Sequence, residues 1–392
     1  MTSFSCPPVL PGEGGLYGPW LEAYGAAVQG AADLLDATLG RWPRPFDVGR
    51  WLDVMAERRP PRWATPHELV FEAPLARLRD YSIPGGRRGL VPTLVLPPQA
   101  GHDSCIVDFS AEQSQMGAIR KSGLRRAFTL DWRGATAETA DATIEDYLDV
   151  IDRAVEHCGG RVNLIGDCQG GWLATIYAAL APERVNTLTV AGAPIDFAAG
   201  RPVIGSVLNV LAPGGEMAFY EWLVASGGGV LRGRHMLGGF IMIGPGAEIS
   251  RQLELLVHVD DPAHVERYSE FEDWFKHTQD IPGAFYLWIV RHLFMGNQLI
   301  AGELEVRGER VDLGRLSMPL NLLAGATDHI TPPAQVFALA DHAATPPEDI
   351  VRRLSSGGHL GLFMGHEALR EQWPPLLAAV LERSLPRRRA AA

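Results

Sequence analysis

One stretch constrains the fold more than any other. The apolar run Val162-Asn163-Leu164-Ile165 ends in Gly166-Asp167-Cys168-Gln169-Gly170-Gly171 and passes directly into a helical pattern, Trp172 to Leu180, that stops before Pro182. A brief β-branched run of this kind reads as a buried parallel strand, and the segment from Trp172 reads as a helix. The chain must turn sharply between them. Such a turn strains its central residue and leaves room only for very small neighbours, which Gly166 and Gly170 provide.

The pattern is therefore G-x-C-x-G, a nucleophile elbow with sulfur where esterases carry the serine oxygen. The turn aims the Cys168 sulfur away from the sheet at the start of a helix, where the positive end of the dipole favours a thiolate. Gln169, the next residue, would offer its backbone N–H to an oxyanion. The competing reading is a structural cysteine buried beside a glycine turn, the usual fate of a free Cys. Strand, glycines and helix in the required order favour the elbow.

A chain of 392 residues with 46% hydrophobic content can bury a large core, as one elaborated α/β domain or as two domains. The formal charge of −11 argues against nucleic acid as a partner; the basic Pro386-Arg387-Arg388-Arg389 reads as a solvated end. Cys6, Cys105, Cys158 and Cys168 show no paired spacing, and Met1-Thr2-Ser3-Phe4-Ser5 has no basic segment followed by an apolar one. Both point to a reducing cytoplasm. The most apolar stretch, Gly227 to Gly246, is interrupted by Arg232, Arg234 and His235, so no transmembrane span is expected.

In chain order, residues 1–62 read as a helical extension. Pro19 to Trp42 and Pro45 to Glu57 carry apolar residues at helical spacing, the second through Phe46, Val48, Trp51, Leu52 and Met55, which predicts packing against a core. Arg59-Pro60-Pro61 ends this segment. Strand patterns come next at Glu68–Ala73, Leu75–Tyr81, Thr93–Leu96, Arg126–Trp132, Val162–Ile165 and Thr187–Val190, with a turn at Pro84-Gly85-Gly86 and Ile106–Phe109 just beyond the third strand. Thr143 can cap a helix running through Ile144, Tyr147, Ile151 and Val155. The alternation predicts an α/β fold, a doubly wound and mostly parallel sheet, whose first part spans 63–196. From 197 to 316 the strand rhythm stops, in an insertion expected to sit over the nucleophile as a cap. The remainder, 317–392, returns to strands at Met318–Ala324 and Asp349–Leu354 and closes with a helix over Glu367–Glu382.

Two further candidates fall where this architecture needs them. Asp328 lies in Gly325-Ala326-Thr327-Asp328-His329-Ile330, just after one of those strands, and His359 lies in Ser356-Gly357-Gly358-His359-Leu360, just after the other. The order nucleophile, acid, histidine is that of α/β hydrolases. Taken singly, Asp328 reads equally as a turn aspartate and His359 as a loop histidine; order and placement join them to Cys168. His329 would point away from Asp328 in an extended segment, and His366 reads as a surface residue. No H-E-x-x-H or C-x-x-C pair supports a metal site, and no glycine loop fits a nucleotide fingerprint, so neither a metal nor a nucleotide cofactor is expected.

These residues bring a family with them. Gly166-Asp167-Cys168-Gln169-Gly170-Gly171 resembles the lipase-like box of polyhydroxyalkanoate synthases, above all the short class III type that works with a second subunit. The similarity continues in Tyr177 to Val185, Ala193-Pro194-Ile195-Asp196-Phe197, Asn297-Gln298-Leu299 with Gly302-Glu303-Leu304, Val311-Asp312-Leu313, Asp328-His329-Ile330-Thr331-Pro332 and Gly358-His359-Leu360-Gly361. It covers roughly Thr65 to Glu382. The resemblance implies an α/β-hydrolase fold, Cys168 as nucleophile, His359 as its base, and Asp328 as the acid partner that also helps activate the substrate hydroxyl. It implies acyl-CoA as substrate, no further cofactor, an accessory subunit or a homodimer as partner, and the cytoplasm, at the surface of polymer granules, as location. Two departures stand out: Pro97 to Cys105 replaces the loop that should supply the second oxyanion donor, and Trp172 stands where the family has a smaller residue.

Chemistry points the same way. A thiolate that takes an acyl group from a CoA thioester makes another thioester at nearly equal free energy, and transfer to a hydroxyl then yields a more stable oxoester. Thiolate chemistry thus favours acyl transfer to a hydroxyl, and the resemblance implies that the groups moved are (R)-3-hydroxyacyl groups from CoA. The alternatives are a hydrolase on the same scaffold, a depolymerase or thioesterase, and a non-catalytic binding protein associated with polymer granules.

Overall fold

The computed structural model describes residues 24–25, 27–32, 45–85, 89–200 and 202–385. Most of the Pro19–Trp42 stretch, the opening residues with Cys6, Gly86 of the expected turn, and the basic tail from Pro386 lie outside the described residues. The chain divides into two compact units, one of residues 1–61 with Gly233–Thr278, the other of Arg62–Arg232 with Gln279–Ala392.

The larger unit is built on an eight-stranded sheet. Its strands are β1 (Glu68–Glu72), β2 (Ala76–Asp80), β3 (Thr93–Leu96), β4 (Ala127–Trp132), β5 (Val162–Asp167), β6 (Val185–Ala191), β7 (Leu320–Gly325) and β8 (Ile350–Ser355), in the order β1-β2-β4-β3-β5-β6-β7-β8. The β1–β2 and β2–β4 pairs are antiparallel, and every pairing from β4 through β3, β5, β6 and β7 to β8 is parallel. This is an α/β-hydrolase fold. The central strands β3 to β7 are buried along their whole length, as expected of parallel strands covered on both faces.

The crossover helix Ile144–Cys158 starts at Thr143, whose backbone N–H donates to Asp146 Oδ2 at 2.7 Å, and ends on Gly159 at φ 108°. Just beyond β3 the chain turns helical before β4. Ser104–Val107 forms a 3₁₀ turn capped by Asp103, whose carboxylate accepts from the Cys105 N–H at 2.9 Å. The C-terminal helix runs over 366–384 and so covers the expected Glu367–Glu382, with a π-helical turn over Ala368–Gln372 directly ahead of Pro374 and Pro375, which lack the N–H groups a regular helix interior would use.

The smaller unit is helical. Its elements include Pro45–Ala56, Gly233–Ile243, Pro245–Val257 and Pro262–Phe275, and its fully buried Glu272 is paired with Arg251 at 3.2 Å and Lys276 at 2.7 Å. The apolar stripe of Pro45–Ala56 does not pack as a whole. Trp51 and Met55 are partly buried, with Trp51 Nε1 donating to the Gln252 carbonyl at 3.0 Å, whereas Phe46, Val48 and Leu52 are exposed. Helical spacing marks a face, but only neighbouring elements decide how much of that face is covered. No helix among the described residues is long and apolar enough to cross a membrane.

Candidate active site

The elbow forms as a strained turn. Cys168 sits between β5 and the helix Gln169–Leu180 at φ 50°, ψ −119°, a conformation that few non-glycine residues adopt. Its N–H donates to the Ala191 carbonyl at the end of β6 at 2.9 Å, and its carbonyl accepts from Gly171 N–H at 2.9 Å. The flanking glycines are demanded by space. A Cβ on Gly166 would lie 2.3 Å from the Gly170 carbonyl oxygen, and one on Gly170 would lie 1.9 Å from the Leu96 carbonyl oxygen at the end of β3.

Asp328 and His359 reach the same end of the sheet from β7 and β8. Asp328 is buried, and its carboxylate is held on both oxygens. Oδ1 accepts from the N–H groups of Ile330 at 2.9 Å and Thr331 at 2.8 Å, while Oδ2 lies 2.7 Å from His359 Nδ1. Burial acts to lower the His359 pKa, but the Asp328 carboxylate and the Cys168 sulfur, each by charge and by hydrogen bond, together hold it well above its ordinary value. With Nδ1 engaged by Asp328, Nε2 is the nitrogen left for Cys168. The histidine ring meets Phe363 edge-on at 5.5 Å. Gly192, at φ 55°, has Leu362, Phe363 and His359 within 3.5 Å of where a Cβ would stand, so the histidine loop packs directly on this glycine. Cys168, Asp328 and His359 are thus brought together, whereas His329 and His366 are exposed. Among the described residues no group of three His, Cys, Asp or Glu could hold a metal ion.

Gln169 begins the elbow helix, where its N–H has no carbonyl one turn earlier to bond. A narrow hollow adjoins it, walled by Pro97, Gln99, Trp132, Gln169, Trp172 and Phe285 among others. Trp172 is buried, its ring tilted against Phe285 at 6.2 Å and Trp288 at 6.3 Å. Tyr147 stacks on Phe285 at 4.0 Å, and Gln99 Nε2 donates to the Tyr147 hydroxyl. Two segments that carry the resemblance also meet: Asn297 Oδ1 accepts from Phe197 N–H at 2.8 Å, and its Nδ2 donates to Asp196 Oδ1 at 2.8 Å.

The elbow holds one group that the sequence pattern does not single out. Asp167 is completely buried directly before Cys168, and burial pushes its pKa up to about 8, against the smaller opposing effect of the Gln115 amide that donates to Oδ1 at 3.2 Å. Its other oxygen, Oδ2, and Gln115 Oε1 have no hydrogen-bond partner among the described residues. A carboxyl inside so apolar a motif was the available signal.

A family model described as "Protein of unknown function (DUF3141)" matches residues 79–380, well over half of the chain. The chain belongs to that family. It is also similar to the poly(3-hydroxyalkanoate) polymerase subunit PhaC of Haloferax mediterranei, at 27% identity over 82% of this chain and 64% of that protein. The same-named subunits of Synechocystis, at 28% identity over 70% of this chain and 73% of that one, and of Allochromatium vinosum, at 24% over 80% and 87%, are similar as well. The chain thus spans a little under two thirds of the Haloferax protein. The resemblance to polyhydroxyalkanoate synthases holds along most of this DUF3141 chain. Among solved structures, a carboxylesterase of Nitrososphaera gargenis matches 81% of the chain with 99% of its own, at 16% identity and a TM-score of 0.46.

Proposed function

We propose that this protein is an acyltransferase of the polyhydroxyalkanoate synthase type, which moves (R)-3-hydroxyacyl groups from CoA thioesters through a Cys168 acyl-enzyme to a hydroxyl acceptor. The observation that carries the reading is a cysteine on a strained elbow facing a buried His359–Asp328 pair. In this reading the proton of Cys168 Sγ passes to His359 Nε2, and the thiolate attacks the thioester carbonyl. The oxyanion is held by Gln169 N–H and by a second donor from the loop after β3. Pro97 and Pro98 have no N–H, so the first backbone donor that loop can offer is that of Gln99. CoA leaves as the thiol, taking the proton from His359. An acceptor hydroxyl then attacks the acyl-enzyme and gives its proton to His359, an ester bond forms as the C–S bond breaks, and the Cys168 thiolate is regenerated.

Asp328 holds the imidazole in one tautomer, stabilises the imidazolium and helps activate the acceptor hydroxyl. From the expected cap insertion 197–316, Phe285 beside Trp172 contributes to keeping water from the acyl-enzyme. No metal or nucleotide cofactor takes part. An accessory subunit or a second copy of the chain completes the active form, which works in the cytoplasm at the surface of the growing polymer.

The test is incubation of the purified protein with (R)-3-hydroxybutyryl-CoA, following CoA release and the acyl product beside Cys168→Ala. Oligomeric or polymeric ester that vanishes in the variant is the expected result. Free hydroxy acid would establish a hydrolase instead, and a Cys168 inert to alkylating agents at neutral pH would point to a binding protein.

A further inference from the structure

Two of the residues that line the hollow beside the elbow carry acceptors with nothing to accept. Gln99 Oε1 and Gln169 Oε1 are both sealed from solvent, and neither has a hydrogen-bond partner among the described residues. Both residues line the hollow, whose other walls include Trp132, Trp172, Leu173 and Phe285. Buried polar atoms are almost always paired, so two orphans in one small space beside a nucleophile ask for a ligand group. As it stands the hollow is too narrow even for water. The group that pairs with these oxygens therefore arrives with the substrate and parts the aromatic walls as it enters.

We infer that this hollow receives the acyl substituent and that Gln99, with Gln169, recognises a hydroxyl on it. The inference rests on the acyl-enzyme reading above. An acyl group on Cys168 has its carbonyl oxygen at Gln169 N–H, so its chain is what can turn into a space bounded by Gln169, Gly170 and the loop after β3. The apolar walls suit a short alkyl chain, and the two amides suit one polar group on it. A charged group is excluded, since no ionisable side chain borders the hollow. A hydroxyl fits where an N–H alone would not: it both donates and accepts, and so pairs with a glutamine amide turned either way. Gln99 is well placed to discriminate because it is not free to swing aside. Its amide is tied to the Tyr147 hydroxyl, and the Tyr147 ring is stacked on Phe285.

The test is single-turnover CoA release from 3-hydroxybutyryl-CoA and from butyryl-CoA, which differ only in the hydroxyl and need no acceptor for the acylation step. The parent protein is expected to favour the hydroxylated substrate by at least about tenfold, because the deoxy substrate leaves the acceptors unpaired. Gln99→Met, similar in volume but without the amide, is expected to bring the two rates to within about threefold, with the far-UV circular dichroism of the parent. Should that variant not fold, Tyr147→Phe, which unties the Gln99 amide, reads the same ratio and is expected to lower it. A parent that does not discriminate, or a folded variant that discriminates as the parent does, overturns the inference while leaving the acyl-enzyme intact. No CoA release from either substrate would instead bring down the acyl-enzyme reading, and this inference with it.

Discussion

Asp167 offers a measurement in which the structure predicts a gain in stability on removing a charge-bearing group. The folded chain holds its proton up to a pH of about 8, whereas an unfolded aspartate releases it near 3.8. Its contribution to stability is therefore whole below pH 3.8 and is lost as pH rises through 8, because over that window the folded state binds more protons than the unfolded one. At about 1.4 kcal/mol per pH unit, the loss is about 2 kcal/mol at pH 5, about 4 at pH 7 and about 6 above pH 8. Asp167→Asn cannot ionise. Its amide can also accept from Gln115 Nε2 and donate to Gln115 Oε1, which satisfies the acceptor now orphaned.

Denaturant unfolding of parent and variant at pH 5, 7 and 9, followed by tryptophan fluorescence and far-UV circular dichroism, isolates this one group, since the other titrations are common to both proteins. The expected result is a variant whose advantage widens by about 4 kcal/mol between pH 5 and 9. If the two stability curves run parallel, Asp167 is not a buried neutral acid and the burial argument fails. If the variant is less stable at every pH, the Gln115 pairing has been misread.

Asp328→Asn should slow both CoA release and iodoacetamide alkylation of Cys168 by about 10²–10⁴-fold, by loss of the charge that orients and supports His359, with little change in the substrate KM. Gly170→Ala should prevent correct folding of the elbow, since its Cβ would lie 1.9 Å from the Leu96 carbonyl oxygen; a normal thermal melt with full activity would contradict the packing described. Gly192→Ala is a graded case, with its Cβ 2.8 Å from Leu362 and 3.5 Å from His359 and a φ of 55° to strain it. It should leave a cooperative melt but lower kcat at least about tenfold by displacing the histidine loop.

Local signals were strong wherever backbone geometry dictated the residue. The elbow needed glycine on both sides of Cys168, and the carbonyl oxygens of Gly170 and Leu96 are what fill the space a Cβ would take. The central strands read correctly because parallel strands are buried on both faces and are mostly apolar, whereas the antiparallel β1 and β2 read from alternation. Asp328 and His359 could be placed because chain order and strand ends suffice to put loops at one edge of a sheet. The stripe of Phe46, Val48 and Leu52 misled for the opposite reason, since helical spacing says nothing of what lies opposite.

The sequence by itself determined the fold and the meeting of Cys168, Asp328 and His359 at one edge of the sheet, because these depend on periodicity, glycine sterics and strand order, all of which are local or ordinal. Only the tertiary structure decided the surroundings of Asp167, Gln115 and Gln99. Whether a carboxyl is neutral or an amide unsatisfied depends on everything that surrounds it, and for Asp167 that surrounding comes from a segment 52 residues away. Hydrogen-bond satisfaction and desolvation are sums over neighbours distant in sequence, so no window of residues contains them.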